Sequence, residues 1–423
     1  MHIGLDISVL RIAQAGVLVY TRNLIEHLVE LGADQRWTLL DVLPLNRDRP
    51  MPDGLRAFDA PNVRVVRCLG LNRSYLSMRP IARSGPLHAL ASRLDRALDR
   101  PWAYAATAAV GVQLRAALRG VDVFHSSDQF CYAPPGAAAV VTIHDLTSLA
   151  YPEFHLDATN AMHAAKERFA VERADRIIAV SEATKREIVA RLGIPAERIS
   201  VVYEATDARF HPYPPEQVQP VLDRYGLQAG AYILSVGTVE PRKNYARLVE
   251  AYARLRGQLA APPPLVIAGG FGWLYEEILA APARAGVEGH VRFLGKVPDA
   301  ELPLLIAGAQ LFVYPSLYEG FGLPVLEALA CGVPVVASNS SSLPEVLGDA
   351  GLYCDPLEAA SIAQRMADVL GDPVLAGRLR QAGPQRAARF SWRRMAQETL
   401  EVYAQASADR RARRRGKGGG PRV

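Results

Sequence analysis

Two glutamates on either side of a glycine-rich turn are the residues of this chain best suited to chemistry. Glu319 precedes the run Gly320-Phe321-Gly322-Leu323-Pro324, and seven residues separate Glu319 from Glu327. The glycines let backbone approach a ligand, and Pro324 favours the first turn of a helix whose free N–H groups would face an anion. Because a helix N-terminus carries partial positive charge, we expect Glu327 to stay ionised and to accept hydrogen bonds from hydroxyls. Such a site suits a sugar joined to a phosphate.

Arg242 and Lys243 form a second candidate group. They lie in the run from Gly237 to Asn244, between a predicted buried strand and a predicted helix over Tyr245–Arg256. Ligands of open α/β sheets bind beyond the carboxyl ends of the strands, so this pair is expected at a ligand cleft. Two cations there would stabilise negative charge that develops on a leaving phosphate. Adjacent basic residues are more often a solvated loop, and the strand-end position with Gly237 favours the functional interpretation.

Three further positions follow predicted strands. His144, with Asp145 after it, comes directly after the strand that ends at Ile143, although a lone histidine at such a place is more often structural. Ser181 opens a predicted helix, and the role of an N-cap explains it without a function. Val297, after Lys296, is equally consistent with a plain turn and with a contact to a nucleotide base.

The elements that must position these residues alternate along the chain. Strand-like runs are predicted near His2–Ile7, Trp37–Leu43, Val63–Arg67, Val121–His125, Ala139–Ile143, Arg176–Val180, Ile199–Val202, Tyr232–Val236, Pro264–Ala268, Val291–Leu294, Leu311–Val313 and Pro334–Ala337. Helices are predicted at Val17–Leu31, Pro86–Arg100, Ala158–Arg173 and Glu182–Leu192 in the first half. This alternation predicts an α/β fold with two doubly wound, Rossmann-like domains, and 423 residues are enough for two cores. The prolines of Phe210–Pro215 predict the linker.

Charge is concentrated in two segments. The formal net charge is +5, but Ser407–Val423 alone carries +6, and this tail lacks apolar periodicity, which predicts disorder. Residues Pro61–Gly120 carry ten arginines against two aspartates. Either segment could contact an anionic membrane surface, and for Pro61–Gly120 a solvated helix face is at least as good an interpretation. Specific nucleic-acid binding by the tail is disfavoured, because no aromatic residues are interleaved with its arginines. The four dispersed cysteines and the lack of a long apolar run or signal peptide predict a cytoplasmic protein.

The stretch from Glu319 to Val336 resembles the Glu-x7-Glu signature of the retaining nucleotide-sugar glycosyltransferases of family 4. Pro315-Ser316 before it and Leu343-Pro344-Glu345-Val346 after it match as well. The resemblance implies the GT-B fold, in which two Rossmann-like domains face each other across a cleft. It implies an N-terminal acceptor-side domain over 1–210, a nucleotide-sugar-binding domain over 211–389, a helix over 390–406 that crosses back to the first domain, and the tail at 407–423.

The resemblance also implies a role for each candidate residue. Glu319 would hold hydroxyls of the donor sugar, and Glu327 those of the ribose. Arg242 and Lys243, near Gly237, would contact the diphosphate, and His144 would contact the transferred sugar. The remaining donor-binding positions would act through backbone groups, and they are Gly16, Val297, Phe321, Gly322 and Leu323. Gly16-Val17-Leu18-Val19-Tyr20 keeps one glycine and the tyrosine of the family's first-domain loop.

The sequence therefore predicts a retaining glycosyltransferase without a metal or other cofactor. Its partners would be a nucleoside diphosphate sugar, first GDP-mannose, and the hydroxyl of a lipid-linked or polysaccharide glycan such as lipopolysaccharide, with peripheral contact to the inner face of the membrane. A small-acceptor synthase or phosphorylase of the same fold is one alternative. A non-catalytic protein that binds membrane or nucleic acid through Arg410–Arg415 is another. A glycosidase is disfavoured, because a general acid needs a raised pKa and a helix N-terminus lowers it.

Overall fold

Two parallel β-sheets form the frame of the protein. The computed structural model describes residues 1–12, 16–44, 55–70, 111–128, 130–155 and 157–418. The first sheet has the strand order β3-β2-β1-β4-β5-β6-β7, and the second has the order β10-β9-β8-β11-β12-β13. Each order reverses direction in the middle of its sheet, as in a doubly wound fold. The predicted pair of Rossmann-like α/β domains is confirmed.

The first sheet and its helices extend from residue 2 to residue 201. Its strands are β1 (His2–Asp6), β2 (Arg36–Pro44), β3 (Val63–Gly70), β4 (Val123–Ser126), β5 (Ala138–Ile143), β6 (Arg176–Ala179) and β7 (Ile199–Val201). Its helices are α1 (Val9–Ile12), α2 (Gly16–Leu31), α3 (described over 111–117), α4 (Thr147–Ala150), α5 (Asp157–Arg173) and α6 (Glu182–Leu192).

The second sheet and its helices follow the proline-rich linker. Its strands are β8 (Ile233–Val236), β9 (Leu265–Ala268), β10 (Val291–Gly295), β11 (Leu311–Tyr314), β12 (Val335–Ser338) and β13 (Leu352–Cys354). Its helices are α7 (Pro215–Arg224), α8 (Tyr245–Gln258), α9 (Glu276–Arg284), α10 (Leu302–Ala307), α11 (Leu323–Ala330), α12 (Leu343–Leu347), α13 (Ala359–Gly371) and α14 (Pro373–Ala387). The last helix, α15, is Trp392–Gly418.

The short apolar strands owe their form to burial on both faces. Every residue of β5, β8, β9, β11 and β12 is buried. A parallel strand covered by helices on both sides reads as an uninterrupted apolar run, which is the pattern that the sequence displays. The predicted strands agree with the observed ones to within three residues at each end. The three-residue strand β13 is an addition, and the predicted helix over Pro86–Arg100 lies outside the described residues.

Helix α15 follows the second domain in sequence but packs on the first. It lies against α2 and the strands β4, β5 and β6. Tyr403, which is fully buried on this helix, places its hydroxyl 2.7 Å from Nδ1 of His125 in β4. The chain therefore crosses between the two domains twice, at the linker and before α15.

The prediction of a disordered tail from residue 407 is wrong for the described part, because α15 continues to Gly418. Arginine and alanine are good helix formers, and ion pairs with charged residues of the first domain hold the helix in place. Arg413 Nη1 lies 3.0 Å from Asp175 Oδ1, and Arg176 Nε lies 2.8 Å from Asp409 Oδ2. These partners are more than 200 positions apart, so the composition of the tail alone gave no sign of them.

Two crossings meet near one glycine. Gly332 lies two positions after the end of α11. A Cβ added there would lie 3.4 Å from Pro212 of the linker and 3.7 Å from Pro384 in the last turn of α14. The two passages between domains therefore lie side by side. Within the described ranges, none of the helices is both long and apolar enough to cross a membrane.

Candidate active site

Glu319 is the centre of a buried cluster of charges. Its carboxylate accepts a hydrogen bond from Lys243 Nζ at 2.6 Å and pairs with Arg242 Nη1 at 2.9 Å. The hydroxyl of Ser316 donates to the same carboxylate at 2.6 Å, and that of Tyr314 lies 2.9 Å from it. The side chain of Glu319 is only 10% exposed. Burial of this kind is tolerated because every carboxylate oxygen has a cationic partner.

Neighbouring strands bring these residues together. Arg242 and Lys243 lie in the short 3-10 turn Pro241–Lys243 beyond β8, and Glu319 lies in the loop after β11, the strand next to β8. Asn244 ties the two loops, because its side-chain amide donates to the carbonyl of Pro315 at 3.0 Å and to that of Pro356 at 2.7 Å. The carboxyl ends of parallel strands meet at one edge, so residues far apart in sequence converge there.

The cluster fixes the charge of Glu319. Burial alone would raise the pKa of its carboxyl, but Arg242 and Lys243 outweigh burial and lower the pKa to about 2. Burial opposes charging of Arg242 as well, yet Glu319 and Glu240 raise the pKa of that guanidinium. Burial and the neighbouring Arg242 lower the pKa of Lys243, and Glu319 opposes them. The site thus presents an ionised carboxylate between two cations.

His144 lies at the end of β5, on the first-domain side of the cleft. Its Nδ1 is 3.2 Å from Glu204 Oε1, and its Nε2 is 3.1 Å from the carbonyl oxygen of Ser127. The ring of Tyr20 packs edge-on against it, with 4.7 Å between ring centroids. The imidazole is therefore oriented by three different elements, and its side chain keeps 14% exposure.

The glycine-rich turn lies directly against His144. A Cβ at Gly320 would be 1.9 Å from the carbonyl oxygen of His144, so a residue with a side chain would force the two domains apart. Gly322 has φ 114°, which favours glycine, and directly precedes α11. Gly16, at the start of α2, approaches Leu323, since its Cβ would lie 3.4 Å from Leu323 Cδ1. The predicted backbone positions of the two domains thus face each other.

Glu327 differs from its prediction. It is the fifth residue of α11, one turn beyond the range of the helix N-terminus, and burial raises the pKa of its carboxyl to about 8. Asp207 and Asp299 raise it further, and Arg209 opposes them. The expectation that the helix end keeps Glu327 ionised is wrong for this unliganded structure. The argument against a glycosidase was that a general acid needs a raised pKa. That argument holds for Glu319, whose pKa is lowered, and fails for Glu327, whose pKa is raised.

The structure treats two other predicted positions differently. Val297 lies apart from the charge cluster, and Gly237 lies beside it. Val297, after β10, is 8% exposed and packs in the hydrophobic core, and β9 separates its strand from β8. Gly237 lies beside Lys243, because its Cβ would be 3.4 Å from Lys243 Cε. The structure therefore joins Gly237 to the cations and places Val297 after β10, two strands away from β8.

Open space borders the cluster on one side. A cavity of about 440 Å³ is lined by Tyr151, Thr184 and Arg191 of the first domain and by Tyr318, Glu319 and Ser341 of the second, among others. Gly16, Gly237 and Glu327 are not among the residues that line it in the part of the chain that the structure describes. The cavity adjoins the candidate site through Glu319.

Several residues that complete the site were missed from the sequence. Glu240 pairs with Arg242 at 2.6 Å, and Glu204 orients His144. Glu240 stands only two positions before Arg242, which was a usable signal. Glu204 comes three positions after β7, but its pairing with His144 crosses 60 positions of sequence. The N-cap interpretation of Ser181 is confirmed, since its hydroxyl accepts from the N–H of Thr184 at 3.0 Å.

Family models match both halves of the chain. The model described as Glycosyltransferase Family 4 matches residues 15–210, and the model described as Glycosyl transferases group 1 matches residues 227–386. Together they cover every strand of both sheets except β1. An O-antigen chain mannosyltransferase B of Escherichia coli is 40% identical over 266 residues, which is 63% of this chain and 70% of that protein.

Other matches extend this similarity. A serotype-specific mannosyltransferase WbdA of Escherichia coli is 33% identical over 269 residues, which is 62% of this chain but only 33% of that protein. Among solved structures, Anabaena Alr3699/HepE in complex with UDP and glucose has a TM-score of 0.67 at 19% identity, covering 96% of this chain and 100% of that one. At this identity the match concerns the fold, which is that of the GT-B glycosyltransferases.

We expect Glu327 to make stability depend on pH. Its pKa is about 8 when folded and near 4.5 when unfolded, so the folded state holds the extra proton between these values and stability falls as pH rises through that window. Glu327→Gln should reduce the decrease in the free energy of unfolding between low and high pH by on the order of 1–3 kcal/mol, allowing for partial exposure of the side chain. Urea unfolding at pH 5, 6, 7 and 8 measures it. An unchanged slope in the variant would contradict the assignment.

Proposed function

The chain belongs to glycosyltransferase family 4, and from this we propose that it transfers mannose from GDP-mannose to a glycan hydroxyl with retention of configuration. The observation that carries the proposal is the convergence of Arg242 and Lys243 on Glu319 beside the start of α11. Two cations, a carboxylate and free backbone N–H groups at one strand edge match the needs of a hexose joined to a diphosphate.

The cations have capacity left for a diphosphate. Lys243 carries three N–H donors, and among the described residues Glu319 and Tyr314 accept two of them. The N–H groups of Phe321, Gly322 and Leu323 add donors at the N-terminus of α11. In this proposal the diphosphate binds to these groups without a metal ion, and Glu319 turns its carboxylate to hydroxyls of the sugar. Glu327 binds the ribose hydroxyls, and its neutral form can donate as well as accept.

The proposed reaction takes place on one face of the sugar. The acceptor hydroxyl oxygen forms a bond to the anomeric carbon as the bond from that carbon to the phosphate oxygen breaks. The electron pair of the broken bond stays on the phosphate oxygen, which takes the proton of the acceptor hydroxyl. The products are a glycoside of unchanged configuration and a nucleoside diphosphate. Lys243 and Arg242 stabilise the charge that grows on the leaving phosphate, and His144 contacts the sugar.

The choice of donor rests on the relatives. The most similar relatives reported above are bacterial mannosyltransferases of surface polysaccharides, which favours mannose and an acceptor of lipopolysaccharide type. The structural neighbour with UDP and glucose makes UDP-glucose the donor to test against GDP-mannose. Differences of a few polar contacts decide between such donors, since a buried group left unpaired is costly.

Peripheral contact with an anionic membrane is part of the proposal. The exposed arginines Arg411 and Arg414 lie on the last turns of α15. Asp175 offsets the charge of Arg410 and Arg413 on the same helix, at 3.7 and 3.0 Å, and Asp122 lies 3.9 Å from the mostly exposed Arg411. The basic surface of α15 is therefore smaller than the sequence of the tail suggests. We propose that this surface contacts the anionic membrane, in addition to the contact that a lipid-linked acceptor would make.

We expect GDP-mannose to raise the melting temperature more than UDP-glucose does. A ligand that binds only the folded state stabilises it by RT ln(1 + [L]/Kd), about 2.7 kcal/mol at 100 times Kd. The panel also includes GDP, UDP and mannose 1-phosphate, and proton NMR of the product then gives the anomeric configuration. A larger shift with UDP-glucose would replace the donor, an inverted product would contradict retention, and no shift with any compound would contradict donor binding.

Lys243→Met should lower kcat by roughly 100-fold or more, because it removes a preorganised cation where charge develops. Arg242 still pairs with Glu319 in this variant, so the fold should persist, which a melting curve checks. Lys185→Met, on α6 of the first domain, is the control of the same substitution and should keep its turnover within about twofold. Turnover of Lys243→Met equal to that of the wild type would exclude this role.

Vesicle binding tests the membrane contact. We expect the protein to sediment with phosphatidylglycerol-containing vesicles and not with pure phosphatidylcholine vesicles, and added salt should reverse the binding. The double variant Arg411→Ala with Arg414→Ala should bind several-fold less, whereas Arg254→Ala on α8 should bind like the wild type. Equal sedimentation with both lipids would refute electrostatic attachment.

A further inference from the structure

A carboxylate of the second domain caps a helix of the first. Glu345 lies in α12, and its two oxygens accept the backbone N–H groups of Glu182 at 2.8 Å and Ala183 at 2.6 Å. The hydroxyl of Tyr203 donates to the same carboxylate at 3.2 Å. The side chain of Glu345 is 16% exposed, so the contact lies inside the interface between domains.

This contact completes the N-terminus of α6. The first N–H groups of a helix have no partner within it, and Ser181 as N-cap accepts the N–H of Thr184. The N–H of Lys185 is the first to bond within the helix, to the carbonyl of Ser181. The two remaining groups, of Glu182 and Ala183, are those that Glu345 accepts. The first domain thus presents a pair of donors that a group of the second domain satisfies.

The segment that carries Glu345 also holds the loop of Glu319. Ser341 Oγ accepts the N–H of Glu319 at 2.9 Å. Ser342 Oγ lies 2.9 Å from the carbonyl oxygen of Glu319 and 2.7 Å from that of Phe321. Both serines are within four positions of Glu345. One short segment therefore touches the end of α6 on one side and the backbone of Glu319 on the other.

A second contact joins the same two places. The hydroxyl of Ser181 donates to the carbonyl of Gly320 at 2.7 Å, next to Glu319. The start of α6 is thus bonded both to the loop of Glu319 and to the segment that supports this loop. Arg186 lies 3.6 Å from Glu345 but is 69% exposed, so its pairing adds little.

We propose that Glu345 is a positioning residue, which couples closure of the two domains to the placement of Glu319. When the domains close, Glu345 binds the end of α6, and Ser341 and Ser342 hold the backbone of Glu319 in the arrangement that Lys243 and Arg242 require. When the domains part, water replaces Glu345 at the helix end and this support is lost. The inference rests on the proposed function, because it assigns a purpose to the placement of Glu319 during transfer.

The test compares Glu345→Ala, Glu345→Gln and wild type with GDP-mannose and with UDP-glucose. We expect Glu345→Ala to lower kcat on the order of 10- to 100-fold, since a small misplacement of a reacting group is enough for such a loss. Donor Kd should change less than about threefold, because the groups proposed to bind the diphosphate and the ribose lie in the second domain. Glu345→Gln keeps one carbonyl acceptor and should restore part of the rate.

Two further variants separate coupling from plain stability. Tyr203→Phe removes the first-domain hydroxyl that donates to Glu345, and its loss of kcat should vanish in the Glu345→Ala background, as for groups that act through one contact. Glu301→Ala is the control, because Glu301 pairs with Arg224 and Tyr225 inside the second domain. It should keep kcat within about twofold even if its melting temperature falls.

The outcomes are distinguishable. If Glu345→Ala lowers the melting temperature but keeps kcat, Glu345 is only structural and the inference is overturned. Small-angle scattering gives a readout that does not need turnover, and Glu345→Ala should have a larger radius of gyration than wild type in the presence of GDP-mannose. If wild type turned over neither donor, the proposed function would fail. In that case, equal radii of gyration for Glu345→Ala and wild type would separately reject the role of Glu345 in domain closure.

Discussion

The pairing of one buried carboxylate with two cations is the interaction on which the rest of the site depends. An ion taken out of water costs several kcal/mol unless an opposite charge compensates for it, and loss of one partner of such a pair costs about 3–5 kcal/mol. Glu319 therefore requires a cationic partner, and the loops after β8 and β11 must keep their register for the cluster to form. The same requirement leaves charges of both signs where a charged ligand could exchange partners with them.

The parallel architecture supplies this register without a long rigid support. Strands β8 and β11 are adjacent, and each is only four residues long and buried throughout. The charged residues of the cluster lie in the loops beyond their carboxyl ends, where the apolar core ends. The first domain offers the mirror arrangement, with His144 after β5 and Ser181 after β6. The site is thus a meeting of strand ends from two sheets, and Gly320 is small enough to let them touch.

Much of this could be predicted from local sequence. The buried strands, the N-cap at Ser181 and the position of Arg242 and Lys243 follow from patterns within a few residues, which is the range over which periodicity and turn chemistry act. The partners could not be predicted in this way. Glu204 meets His144, Glu345 meets α6 and Asp175 meets Arg413 only through tertiary packing. The pKa of Glu327 follows from burial and distant acids, which no spacing in the sequence reveals.

The two passages of the chain between the domains have a mechanical consequence. The linker and the end of α14 both border Gly332. The two domains are therefore connected along one edge of the molecule. Two connections at one edge restrict shear and twist between the domains, and they favour a hinge motion about that edge. A cut in either passage would still leave the lobes tethered by the other, at nearly the same pivot.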